Sequence, residues 1–207
     1  MPGPAQRFEA IWGSEMEKGR LEAFTDAVIA VIITIMVLEL KAPHSPTIEA
    51  VIELWPVLLS YVLSFIYVGI YWNNHHHMMY VTERVNGRVM WANLHLLFWI
   101  SLFPFVTAWM SETHFATVPT ALYGGVLLMA ALAYPILLRE LIACNGGPTC
   151  PLARAVGRDI KGKISAVLYA TAIPLAFVSP WISCALYVAV AAIWFVPDRR
   201  IEKVEAA

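Results

Sequence analysis

Apolar residues run along this chain in long, nearly unbroken stretches. A helix that crosses a bilayer needs roughly 20 mainly apolar residues, and six segments approach or exceed that length, at about 24–41, 48–72, 89–111, 118–142, 162–180 and 181–197. The last two are short and meet at Ser179, Pro180 and Trp181, which predicts a tight hairpin. Pro43 and Pro46 punctuate the first connection, and Asn145, Gly146, Gly147 and Pro148 mark a loop after the fourth segment. The pattern predicts an all-α membrane protein, a single six-helix domain over residues 1–207. No internal repeat is visible, so the inverted-repeat signature of many secondary transporters is missing.

Composition supports the membrane assignment. Of 207 residues, 59% are hydrophobic and 14% charged, with mean hydropathy +0.65. Soluble domains hold about 45–50% apolar and about 25% charged residues, so the surplus is expected to face lipid. Eight Trp and eight Tyr suit two membrane–water interfaces. A net charge of −1 offers no basic face for nucleic acid.

The basic residues orient the chain. With the N-terminus inside, the inner segments hold Arg7, Lys18, Arg20, Arg84, Arg88, Arg139, Arg154, Arg158, Lys161, Lys163, Arg199, Arg200 and Lys203, against Lys41 alone outside. Such a bias predicts that both termini are cytoplasmic. The polar start of the chain is not expected to be a cleaved signal. Cys144, Cys150 and Cys184 are odd in number and lack CxxC spacing, so neither a disulfide framework nor a metal knot is expected.

Residues 20–40 are the most informative stretch. Asp26 sits one turn into an otherwise apolar helix. It is either solvated at headgroup depth near the helix N-terminus, or paired or lining a polar cavity. Arg20, Phe24, Thr25 and Asp26 form an Arg-x-x-x-Phe-Ser/Thr-Asp motif, and the helix ends Val37, Leu38, Glu39, Leu40. This segment resembles the first helix of the transmembrane protein 175 family, the lysosomal-type potassium channels and their bacterial relatives. Relatives typically carry Ser where Thr25 stands. Three further stretches agree with the resemblance: Tyr71 to His76, Asn93, and Ser101 to Thr107. It covers the whole chain, in the single-repeat bacterial form.

The resemblance implies a homotetramer of six-helix subunits in the bacterial inner membrane, with four first helices around a central pore that conducts potassium ions. It also implies a fold without a carbonyl filter, and no TVGYG-like segment occurs. Positions i, i+3, i+4 and i+7 share one helix face, and the register that matches the family's constriction is Val31, Thr34, Ile35 and Leu38. Rings of Val31, Ile35 and Leu38 would form a hydrophobic gate, and Thr34 would supply selectivity. Which ring is narrowest stays open, because Val31 is smaller than the family's usual Ile or Leu. The same stripe could instead be ordinary packing, with Thr34 bonding its own i−4 carbonyl. Asp26 points away from the stripe, so Arg20, Phe24, Thr25, Asp26, Trp72, His75, His76 and Asn93 are expected to form a structural network. Within it, Asp26 would meet His75, His76 or Asn93.

Three adjacent histidines, His75 to His77, point about 100° apart on a helix and cannot converge on one metal ion. An interfacial cap, with one histidine as a partner for Asp26, accounts for them more simply; pH sensing is the alternative. No paired acids, Ser–Lys or Ser–His arrangement or HExxH stands inside the membrane segments, so neither an enzyme nor a cofactor is expected. The alternatives to a potassium channel are a proton-permeable channel and a secondary cation transporter.

Overall fold

A computed structural model describes residues 4–157 and 159–195, with side chains from Lys18 onward. Both chain termini, Arg158, Arg199, Arg200, Lys203 and the last two residues of the predicted sixth segment lie outside this description, as does the side chain of Arg7. Nine α-helices and one 3₁₀ turn at Gly147–Thr149 are present among the described residues: α1 Pro4–Leu38, α2 Ile48–Glu53, α3 Trp55–Tyr80, α4 Gly87–Ser101, α5 Phe103–Glu112, α6 Thr117–Cys144, α7 Pro151–Val156, α8 Ile160–Leu175 and α9 Pro180–Phe195. Four stretches are long and apolar enough to cross a membrane: Lys18–Leu38, Trp55–Tyr80, Gly87–Glu112 and Thr117–Cys144.

The helices depart from the apolar runs at identifiable residues. Prolines lack an N–H donor and are tolerated in a helix's first turn. Pro56 and Pro104 each open a helix, so the second run divides at Leu54 into α2 and α3, and the third divides at Leu102 into α4 and α5. Helix α3 continues to Tyr80 through the polar Asn73–His77 stretch, because Asn74 donates its side-chain amide to the Ile70 carbonyl and His75 is buried against α4. Helix α1 begins at Pro4, twenty residues before its apolar run. Helix α8 ends at Leu175, one residue after Pro174. Starts are capped by side chains: Asn86 Oδ1 accepts from the Arg88 and Val89 amides at 3.0 Å each, and Asp159 Oδ1 accepts from the Gly162 amide at 2.8 Å.

Helix α6 is the centre of the bundle. Leu127, Ala130, Ala133, Leu137 and Leu141 on it are fully buried, and α4, α5, α8 and α9 pack around it. Small alanines let neighbouring backbones approach closely, as membrane helix packing requires. An aromatic cluster of Tyr67, Phe103, Tyr123, Tyr169 and Tyr187 joins α3, α5, α6, α8 and α9. Its hydroxyls are tied into the bundle: Tyr67 donates to the Tyr187 carbonyl at 2.6 Å, and Tyr187 donates to the Thr120 carbonyl at 3.0 Å. At one end of the molecule Phe115 stacks on Trp55 and lies tilted against Trp181, with ring centroids 5.6 and 5.1 Å away. Phe115 and His114 both adopt left-handed backbone (φ 60° and 52°), which costs about 1–2 kcal/mol per residue. Burial of the Phe115 ring offsets that cost.

Tyr187 crosses α6 at Gly124, where an added Cβ would fall onto the phenol oxygen and ring. Gly125, one residue on, has open space. Gly124→Ala should therefore destabilise the subunit by about 1–3 kcal/mol, the usual range for overpacking, whereas Gly125→Ala should be near neutral. Thermal melting of the purified protein in detergent separates the two outcomes.

Candidate functional site

One side of α1 packs against the subunit and the other is bare. At about 100° per residue, Leu21, Thr25, Ile29, Ile32 and Met36 fall within an arc of roughly 80°, and all are buried. Helices α3, α4 and α5 cover this arc. The stripe Val31, Thr34, Ile35 and Leu38 is centred about 130° away. Val31, Ile35 and Leu38 are 56%, 43% and 72% exposed, and Thr34 is exposed as well. Phe24 and Arg20 continue along the same exposed side, and no hydrogen bond or ion pair of Arg20 occurs among the described residues. The Thr34 hydroxyl donates to the Ala30 carbonyl at 2.8 Å. That bond uses the proton and leaves oxygen lone pairs unengaged.

Behind the buried arc, α1 is fastened to α3 and α4 by a directional chain of hydrogen bonds. The Thr25 hydroxyl donates to the Leu21 carbonyl at 2.9 Å, so its oxygen must accept from Asn93 Nδ2, 2.8 Å away. Asn93 Oδ1 is then left as acceptor, and His75 Nε2 donates to it at 3.1 Å. Thr25, Asn93 and His75 are 1%, 0% and 3% exposed. Away from water each of these groups would be costly without its partner.

Asp26 belongs to a separate, exposed pair. Its Oδ1 accepts from the Trp72 indole N–H at 2.9 Å, and Trp72 stacks on His76 with ring centroids 6.0 Å apart. The expected partners His75 and Asn93 are instead engaged with each other and with Thr25. The reason is angular: Asp26 lies one residue, about 100°, past Thr25 and faces the edge of the α1–α3 contact. Arg20, Phe24, Thr25, Asp26, Trp72, His75, His76 and Asn93 thus divide into a buried chain, an exposed pair and an uncovered side.

A third polar group was not anticipated from the sequence. Ser64 Oγ lies 2.7 Å from Thr107 Oγ1 and 2.9 Å from the Tyr123 hydroxyl, all buried between α3, α5 and α6. The available signal was three hydroxyls within otherwise apolar spans. Among the described residues no group of three His, Cys, Asp or Glu side chains is placed to hold a metal ion.

A polytopic helical bundle with helices long and apolar enough to cross a bilayer, and with an uncovered apolar stripe on the first of them, defines a helical membrane protein. Residues 20–104 match the family described as "Endosomal/lysosomal potassium channel TMEM175". A protein named a potassium channel from a Chryseobacterium species is 50% identical over 188 residues, covering 91% of this chain and 97% of the relative. A second potassium channel, from Chamaesiphon minutus, is 31% identical over 82% of this chain and 89% of its own length. The crystal structure of a lysosomal potassium-selective channel TMEM175 homolog from Chamaesiphon minutus superposes with a TM-score of 0.76 at 28% identity, over 87% of this chain and 97% of that one. The chain belongs to the TMEM175 potassium channel family and stands among its bacterial members.

The buried chain and the exposed pair should differ in energetic weight. Asn93→Ala removes the acceptor of the buried His75 Nε2 and the donor to Thr25 Oγ1, which keeps only its bond to Leu21, so a loss of about 1–3 kcal/mol is expected. Trp72→Phe removes a bond whose acceptor is exposed, and water replaces it at a cost of about 1 kcal/mol or less. Melting temperatures in detergent should fall clearly for the first variant and little for the second.

Proposed function

We propose that this protein is a potassium-permeable cation channel in which four copies of the chain surround a pore lined by α1. The observation that carries this reading is the uncovered stripe Val31, Thr34, Ile35 and Leu38 on the first helix of a chain belonging to a potassium channel family. Rings of Val31, Ile35 and Leu38 exclude water and gate the path by dewetting. Thr34, held by its bond to Ala30, turns oxygen lone pairs toward the axis and replaces part of an ion's hydration shell. Selectivity then rests on side chains and pore width, consistent with a sequence without a TVGYG segment.

Each subunit crosses the membrane six times in this reading, through α1, α3, α4 with α5, α6, α8 and α9. Helix α8 has 16 residues, about 24 Å at 1.5 Å per residue, and falls short of a roughly 30 Å hydrocarbon core. Local thinning accommodates such a mismatch, and Trp181 stands near the start of α9 as an interfacial anchor. The basic-residue bias places the Asn145 end on the cytoplasmic side of the bacterial inner membrane. A Ser45→Cys variant should then be labelled by an impermeant thiol reagent applied to the outside of intact cells. Protection of Ser45→Cys until the cells are permeabilised would invert the orientation.

Reversal potentials of the purified protein in liposomes under potassium, sodium and proton gradients test the function itself. Potassium should dominate the potential, and a proton-dominated potential would replace this reading with a proton channel. Ile35→Asn or Leu38→Asn should wet the gate and raise flux severalfold, since each apolar ring sets a dewetting barrier. Thr34→Val should reduce potassium-over-sodium discrimination. Equivalent substitutions at Ala30 and Ile33 should have little effect. Equal effects on and off the stripe would place the pore elsewhere.

A further inference from the structure

The two ends of the molecule carry opposite charge. At the end marked by the Trp55–Phe115–Trp181 stack, Glu39, Glu49, Glu53 and Glu112 face Lys41 alone, a net charge of −3 with histidines neutral. The other end carries eight basic against five acidic side chains among those described, a net charge of +3. Orientation in the membrane is read from basic residues, and carboxylates contribute little to it. An excess of three acids at one end is therefore not a by-product of topology.

Two of these carboxylates flank the end of the stripe. Glu39 directly follows Leu38, the last residue of α1. Glu39 and Glu112 together line a 210 Å³ cavity between α1, α3 and α5. They also line an adjoining 560 Å³ groove that reaches Ile35. Both are exposed, and no ion pair neutralises either of them among the described residues; Lys41, although it lines the first cavity, is not within bonding distance.

We propose that Glu39 and Glu112 focus cations at this mouth of the pore and make conduction rectify, so that cation current entering from the Glu39 end exceeds current entering from the Asn145 end. This rests on the pore being lined by α1. In a fourfold assembly the pair repeats around the axis and forms a ring of eight carboxylates, while the opposite mouth is net positive. Fixed charge lining a cleft raises the local counter-ion concentration at least severalfold. The effect acts over a Debye length, about 30 Å at 0.01 M salt and about 3 Å at 1 M. The asymmetry is accordingly large in dilute salt and vanishes in concentrated salt, which separates it from rectification by a moving gate.

The test is the ratio of currents at equal and opposite voltages across planar bilayers holding the full-length protein in symmetric KCl. Orientation is fixed by keeping only the channels whose Ser45→Cys variant responds to an impermeant reagent from one chamber. The ratio should be about twofold or more in 10 mM KCl and close to one in 1 M KCl. The double variant Glu39→Gln, Glu112→Gln should lose most of the ratio in 10 mM KCl, whereas Glu83→Gln at the opposite end should keep it. If the double variant assembles poorly, Glu39→Cys is modified in place with a negatively or a positively charged thiol reagent. The first should restore the ratio, and the second should abolish or reverse it. A potassium-selective current whose ratio is independent of salt, or unchanged in these variants, overturns the focusing mechanism and leaves the channel intact. Absence of any cation current overturns both.

Discussion

The hydrogen-bond chain from His75 through Asn93 and Thr25 to the Leu21 carbonyl sets the rotation of α1, and the rest of the proposed pore depends on it. Apolar contacts alone fix a helix's rotation weakly, because Val, Ile and Leu occur on every side of this one. Polar groups sealed inside an apolar bundle behave differently. Each must meet a partner at about 3 Å, and turning α1 by one residue, about 100°, would carry Thr25 away from the Asn93 amide and leave that buried donor without its partner. Thr25 therefore faces inward, and the stripe Val31, Thr34, Ile35 and Leu38 faces away from its own subunit.

The bundle behind α1 is held by a different mechanism. In lipid there is little hydrophobic drive between helices, so close packing and interhelical bonds carry the association. Helix α6 supplies both, with Ala130 and Ala133 fully buried and Tyr123 bonded to Ser64. Tyr187 lies over Gly124 because nothing larger leaves room for the phenol. These contacts fix α3, α5 and α9 around α6, and α3 with α4 then presents His75 and Asn93 to α1.

Charge is arranged on a coarser scale than the hydrogen bonds. The formal charges lie toward the two ends of the molecule. Such an arrangement keeps charge out of the low-dielectric interior, where an unpaired ion is expensive, and leaves the two mouths of the proposed pore with fields of opposite sign. Asp26 is the partial exception. It stands one turn into the apolar run, but it is exposed and takes the Trp72 N–H as its donor.

The amino-acid sequence determined the class of protein and the axial position of its parts. Apolar runs near 20 residues have few fates besides a membrane span, and the motif at Arg20 to Asp26 pointed to the family before any contact was known. Angular and pairwise facts were decided only by tertiary structure. Pro56 and Pro104 were visible in the sequence, but the divisions at Leu54 and Leu102 depend on whether neighbouring helices accept a break. Sequence spacing leaves His75, His76 and Asn93 open as partners of Asp26, and the fold gives it Trp72, because a one-residue difference in angle sends Thr25 inward and Asp26 to the edge. The facing of Glu39 and Glu112 across one groove, 73 residues apart in the chain, could not be read from either residue's neighbours. Local patterns encode burial and length; which distant polar groups meet depends on packing angles that emerge when the helices assemble.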